Sequence, residues 1–277
     1  MSYDCIAYDA WAEQTLAELR QYLPPGATVG RPTRTLHLRR IEPTRAAEAT
    51  VAAGLTADQP QAVWYRQKNP VNTVWQSPQT SDVLWTDGIA GEIGCFHYHL
   101  PWNVIIDDMI LHGGLPVHGA LAVHAGQGLL FVAPPGGGKT TTMATAPAGW
   151  DVLSDDAALI WPDRTNHWSA SPLPSWTELV SADRTPRTDP GRTCRLQGLV
   201  LLNKADRVDL RRVAPVKAVP ALYRAVGEYP VLVMTEVDCR SHAFGLACRL
   251  ARTLPCWQLD LPRGGDIWSR LEAVVTG

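Results

Sequence analysis

Four apolar residues, Leu129, Leu130, Phe131 and Val132, run directly into Ala133-Pro134-Pro135-Gly136-Gly137-Gly138-Lys139-Thr140. An apolar run cut short by proline and glycine reads as a buried strand, and a glycine turn ending in Lys-Thr predicts a helix after it. The last eight residues satisfy A/G-x-x-x-x-G-K-[ST], with Ala133 where glycine is commoner. A loop of this kind curls backbone amides around phosphate oxygens, sends its lysine to the outer phosphates and offers the next hydroxyl to Mg²⁺. Backbone can approach an anion that closely only where no side chain forbids the necessary angles. Pro135, Gly136, Gly137, Gly138, Lys139, Thr140 and Thr141 are therefore the expected nucleotide contacts. The helix can run only over Thr140 to Ala146, because Pro147 and Gly149 follow. A structural Gly/Pro loop that merely ends in Lys-Thr is the competing reading.

Composition narrows the partners. With 45% apolar and 19% charged residues in 277, the chain has the make-up of an ordinary globular protein with a sizeable interior. Its net charge of −2 and the absence of a Lys/Arg block argue against nucleic acid or an anionic membrane as partner. No apolar stretch is long enough to span a bilayer, and Met1-Ser2-Tyr3-Asp4 lacks the layout of a signal peptide, so a cytoplasmic location is expected. The six cysteines contain no C-x-x-C pair, which suits reduced thiols. Most of the eleven tryptophans are expected in the core.

Two regions follow from the pattern: an N-terminal α+β region over 1–110 and a catalytic region over 111–277. In the first, Trp11, Leu16, Leu19 and Leu23 give Asp9 to Leu23 a helical spacing that Pro24-Pro25-Gly26 ends. Short runs at Thr35–Leu38, Ala62–Tyr65 and Asp82–Trp85 predict strands. His97 and His99 would share one strand face, either as a metal pair or as a plain polar face. A helix over Pro101 to Leu111 leads into the second region, which begins with strands at Val117–His124 and Leu129–Val132. Further strands are predicted at Trp150–Asp156, Ala157–Trp161, Leu196–Leu202 and Cys256–Leu261, with Ser171–Trp176 as loop because of its two prolines. Helices are expected over Lys217–Val226, His242–Thr253 and Ile267–Val275.

A glycine loop followed within about twenty residues by a strand ending in Asp155-Asp156 is more informative than either part alone. In phosphoryl transfer one carboxylate holds Mg²⁺ while another accepts the proton of an attacking hydroxyl. Thr140 and Asp156 are the metal candidates and Asp155 the general base, although the two acids could exchange roles; alone, such a pair would be a solvated turn. His118, on the strand before the loop strand, can approach the same phosphates or the catalytic Asp, or can be a satisfied core residue.

In this order and spacing, His118-Gly119, Ala133 to Thr140 and Asp155-Asp156 resemble the kinase domain of HPr kinase/phosphorylase and its relatives, which have the phosphoenolpyruvate-carboxykinase-like fold. The resemblance covers about 115–215. With Pro172-Leu173-Pro174-Ser175-Trp176 after the acids, it is closest to the HPr-kinase-related proteins of peptide-modification cassettes, such as the SynChlorMet cassette protein ScmC. It implies an α/β P-loop kinase core with a small, mostly β N-terminal region. It also implies use of ATP and Mg²⁺, with Lys139, Asp155 and His118 catalytic, and a hydroxyl acceptor on a peptide, small protein or small molecule. A homo-oligomer is plausible by the same resemblance. Where HPr kinases carry a Glu-Ile-Arg-Gly-Ile-Gly-like signature, Arg195-Leu196-Gln197-Gly198-Leu199-Val200 stands here, which puts phosphorylase activity and HPr as substrate in doubt.

Two rivals remain. Asn203-Lys204-Ala205-Asp206 closes an apolar strand as N-K-x-D, a guanine-reading pattern, yet no D-x-x-G switch lies between the glycine loop and this point. A nucleotide-binding sensor or scaffold without turnover would keep the loop and tolerate Asp155→Asn.

Overall fold

The computed structural model describes residues 3–7, 13, 17, 34–41, 63–66, 73–76, 81–86, 106, 109–163, 165, 167–173, 189, 191–227, 237–262 and 266–276. Contacts divide the chain into two compact units, Met1–Ile105 with Val180–Ala182, and Ile106–Leu179 with Asp183–Gly277.

In the first unit, β1 (Tyr3–Ala7), β2 (Arg34–Ile41) and β5 (Ser81–Thr86) form a parallel sheet in the order β1-β2-β5, and β3 (Val63–Arg66) pairs antiparallel with β4 (Thr73–Gln76). The three predicted strand runs fall on β2, β3 and β5. Glu13 and Ala17 are helical, as the spacing predicts. The rest of Asp9–Leu23, and the run bearing His97 and His99, lie outside the described residues.

The second unit opens with a helical turn over 109–111, closed where Gly114 N–H donates to Met109 O at 2.7 Å and Gly113 N–H to Ile110 O at 3.0 Å. Those two bonds are a Schellman closure, at the Gly113-Gly114 break that the sequence predicts. Nine strands then form one mixed sheet: β6 (Leu115–His118), β7 (Ala120–His124), β8 (Gln127–Val132), β9 (Trp150–Ser154), β10 (Ala157–Pro162), β11 (Trp168–Pro172), β12 (Cys194–Lys204), β13 (Asp209–Arg212) and β14 (Cys256–Leu261). Its helices are α1 (Lys139–Met143), α2 (Pro215–Gly227), α3 (Val237–Thr253) and α4 (Trp268–Thr276).

Direction matters more than order. β8 runs parallel to β12, and β12 parallel to β14. β7 is antiparallel to both β8 and β9, so β9 points the same way as β8. The C-terminal ends of β8, β9, β12 and β14 therefore share one edge of the sheet, and β7 begins there.

Three expectations need correction. Val117–His124 is not one strand: it is interrupted at Gly119, where a Cβ would stand 3.0 Å from the Phe131 carbonyl oxygen. β7 then pairs with β9 while β6 pairs with β10. Ser171 and Pro172, predicted in a loop, close β11 opposite Leu159 and Ala158. A proline at the last rung is tolerated because the ladder's next amide, Leu173 N–H, reaches Ala157 O at 3.0 Å. The helix after Lys139 stops at Met143, short of Ala146.

Side-chain alternation gives the sheet two buried faces. Leu129 and Phe131 of β8 and Val200 and Leu202 of β12 join Met143, Trp268 and Leu271 in one cluster, so α1 and α4 cover that face. Alternate residues such as Leu130 and Leu199 point to the other side, where α2 packs on β6, β8 and β12 and α3 packs on α2 and β6. Phe131 is fully buried, and truncating such a residue to alanine typically costs about 3–5 kcal/mol.

Trp150, Trp168 and Trp268 are core residues, and Trp168 Nε1 donates to Thr253 Oγ1 at 2.6 Å. Cys194, Cys248 and Cys256 form no disulfide, and burial pushes the Cys194 thiol up to about 11. No helix among the described residues is long and apolar enough to cross a membrane.

Candidate functional site at the C-terminal edge of the sheet

Beyond Val132 the chain turns back on itself: Gly137 N–H donates to Pro134 O at 2.8 Å. Gly136 and Gly138 have φ of 71° and 104°, a region that disfavours any side chain, and a Cβ on Gly137 would lie 2.6 Å from that of Ala133. All three positions of the triple glycine are thus fixed by geometry. Lys139 is buried, only 7% exposed, and its Nζ donates to the Ala133 carbonyl at 2.8 Å. An ammonium makes a stronger hydrogen bond to a charged oxygen than to a neutral carbonyl.

At Gly138 no side chain caps α1, whose first internal bond is Thr142 N–H to Gly138 O at 2.8 Å. Thr140 and Thr141 are exposed, whereas Thr142 is buried and its Oγ1 has no hydrogen-bond partner among the described residues. Pro135 and Gly136 are exposed, and Gly137 and Gly138 half-buried.

The acids arrive on the same edge by register. Leu121 of β7 stands opposite both Leu130 of β8 and Ser154 of β9, so Asp155 and Asp156 leave β9 level with the end of β8, just before the glycine loop. They occupy the bend between β9 and β10, opposite the break between β6 and β7 at Gly119. Ser154 shapes that bend: its Oγ accepts from Asp156 N–H at 3.3 Å and from Ala157 N–H at 3.1 Å. Ser154 is not among the residues expected at the site, although a serine just before an acidic pair is a recognisable turn signal.

His118 Nδ1 lies 3.1 Å from Asp156 Oδ1. That is ion-pair distance without hydrogen-bond alignment, and Nδ1 has no hydrogen-bond partner among the described residues. Both side chains are mostly buried, at 16% and 25% exposure. The histidine thus meets the acid expected to hold the metal, Asp156, while Asp155 stands half-buried beside them.

Among the described residues, no group of three or more His, Cys, Asp or Glu is placed to hold a metal by itself. Thr140 and Asp156 offer two oxygens on one edge, a donor set that suits a hard cation sharing its remaining positions with phosphate and water.

The N-K-x-D segment ends β12, next to β8, where Leu201 stands opposite Val132. Its Asn203 is already engaged, donating from Nδ2 to Asp260 Oδ1 at 2.7 Å. Asp260 also accepts from Gln258 and Arg211, and bonds from Gln258, Asn203 and Arg211 together hold its carboxyl at about 2.

The family profile described as SynChlorMet cassette protein ScmC matches residues 98–276, a span that takes in the glycine loop, His118 and both acids. The chain belongs to the ScmC family. No curated protein matches it. Within this ScmC-family chain the matched span begins just before the second compact unit and ends within α4.

Proposed function

We propose that this ScmC-family chain is an ATP-dependent phosphotransferase that uses Mg²⁺ and a hydroxyl acceptor, on the serine or threonine of a peptide or small protein or on a small alcohol. One observation carries the reading. A buried lysine in a tight glycine loop shares a sheet edge with a histidine–aspartate contact and a second aspartate, in the register expected of a phosphate-gripping loop facing its catalytic acids.

In this reading the loop amides and Lys139 bind the β- and γ-phosphates. Thr140 and Asp156 would hold Mg²⁺, which neutralises phosphate charge. Asp155 takes the acceptor's proton as the acceptor oxygen bonds to the γ-phosphorus. The bond from that phosphorus to the bridging oxygen breaks, and ADP leaves with the electron pair. His118 orients Asp156 across 3.1 Å. The expected setting is a peptide-modification cassette in the cytoplasm.

The test is transfer of labelled γ-phosphate, and ADP release, with serine- and threonine-containing peptides and small alcohols as acceptors. Asp155→Asn should lower turnover about 10²–10⁴-fold while ATP binding and the circular dichroism spectrum persist. Undiminished turnover in Asp155→Asn would remove the proposed base. ATP binding without turnover in the unaltered protein would instead identify a sensor or scaffold.

The position of Asn203–Asp206 beside the loop strand favours a second reading, a GTPase. Competition decides it: GTP displacing a bound fluorescent nucleotide far better than ATP does would select the GTPase.

A further inference from the structure

Away from the glycine loop, α2 is apolar on two sides. Ala218, Leu222, Ala225 and Val226 are buried against the sheet and α3. A second stripe, Val216, Val219, Pro220 and Tyr223, has the spacing i, i+3, i+4, i+7 of one helix face. This stripe lines a groove of about 730 Å³ whose far wall is Phe244 and Cys248 of α3. Val216 is 76% exposed and Phe244 49%, so the stripe is open to solvent, and Tyr223 meets Phe244 edge-on at 5.3 Å. Pro220 has no N–H to give the carbonyl four residues back, so the helix leaves a backbone acceptor on the same stripe, at Val216.

Charge identifies the kind of occupant. α2 carries Lys217 and Arg224 and no acid, and α3 carries Arg240, Arg249 and Arg252 against Asp238 alone, in a chain whose net charge is −2. Arg249 lies over the Trp168 ring, 5.3 Å from its centroid. Arg224 and Arg252, which line the groove, form no ion pair with any described residue.

We infer that the α2–α3 groove docks an amphipathic helical segment of a partner protein, with an apolar stripe seated on Val216, Val219, Tyr223 and Phe244 and carboxylates reaching Arg224 and Arg252. Helix-in-groove recognition has this form: anchors at i, i+3, i+4 and i+7 supply burial, and flanking charges set orientation and choice of partner. The surface lies on α2 and α3, which contribute none of the residues assigned to phosphotransfer, so it stands or falls independently of that reading.

Cys248 reports on the groove from inside it. The probe is a fluorescein-labelled helix of about 14 residues, roughly 20 Å long, with a leucine stripe flanked by glutamates. Its counterpart carries the same stripe flanked by lysines. With the full-length chain, the glutamate peptide should bind about tenfold more tightly by anisotropy, as two new ion pairs to Arg224 and Arg252 would give, and should slow alkylation of Cys248 by iodoacetamide. Val216→Glu, and Arg224→Glu with Arg252→Glu, should abolish both effects while the melting temperature and ATP affinity hold. Equal binding of the lysine peptide, or unchanged alkylation, overturns the inference. So does concentration-dependent self-association lost in Val216→Glu, which assigns the face to a second copy, or protection of Cys248 by decanoate with no peptide binding, which assigns it to a lipid-like anion. Loss of ATP turnover alone would bear only on the phosphotransferase reading.

Discussion

β8 and β12 lie side by side in the sheet, parallel, both apolar, and each ends in a short motif that contains a lysine. The two strand ends differ in physical state. After β8 the chain is held by its own backbone in a glycine turn, and a buried lysine rests on a neutral carbonyl. After β12 the polar groups satisfy one another, with Asn203, Gln258 and Arg211 all directed at Asp260. A satisfied network has little to gain from a ligand, whereas an ammonium makes its strongest hydrogen bonds to charged oxygens such as those of a phosphate. The sequence already favours the glycine loop, since no D-x-x-G switch accompanies N-K-x-D, and the structure adds that Asn203 of the latter is engaged by Asp260.

The largest expected effect separates the two lysines. Lys139→Ala should reduce γ-phosphate transfer by about 10²-fold or more, as loss of a transition-state charge contact does, whereas Lys204→Ala should stay within about threefold of the unaltered rate. Equal losses in steady-state assays would erase the distinction between the two strand ends.

Gly137→Ala sharpens the comparison from the backbone side. Its Cβ would press on the Cβ of Ala133 at 2.6 Å, so the loop must deform. Overpacking of this kind costs about 1–3 kcal/mol, and ATP affinity measured calorimetrically should fall about tenfold or more. An unaltered affinity would show that the loop's shape is immaterial to binding.

At the β12 end the expected effect is on stability. Asp260→Asn should cost about 1 kcal/mol in denaturant unfolding, with little change in ATP affinity. The acid dependence follows from the depressed carboxyl. Asp260 stabilises the fold fully above its unfolded value of about 3.9. That contribution is lost as the pH falls toward its folded value of about 2. Unfolding midpoints between pH 4 and pH 2 should therefore fall less steeply in the asparagine variant. Identical acid limbs would remove Asp260 as the anchor of this network.

The smallest effect is expected at exposed Asp206, where Asp206→Ala should leave the ATP-to-GTP affinity ratio within about twofold. A large swing in that ratio would revive guanine recognition at this segment.

Legibility followed the reach of the forces involved. β14 was readable to the residue, because Cys256–Leu261 is a short apolar run between a proline and a proline-glycine break. α2, α3 and α4 were readable within a few residues from periodicity and breakers. β13 was not, since Asp-Leu-Arg-Arg has one apolar residue and becomes a strand only through pairing with β14. The break at Gly119 escaped for a similar reason: it falls where pairing passes from β10 to β9, strands that lie far along the chain.

By itself the sequence determined the glycine loop, because a triple glycine before Lys-Thr is a backbone requirement written in residue types, and it determined which segments could be strands. Only the tertiary structure decided that β9 points the same way as β8, that His118 meets Asp156 rather than Asp155, and that Asn203 is occupied by Asp260. Register and strand direction join residues far apart in the chain, so composition and spacing along it cannot fix them.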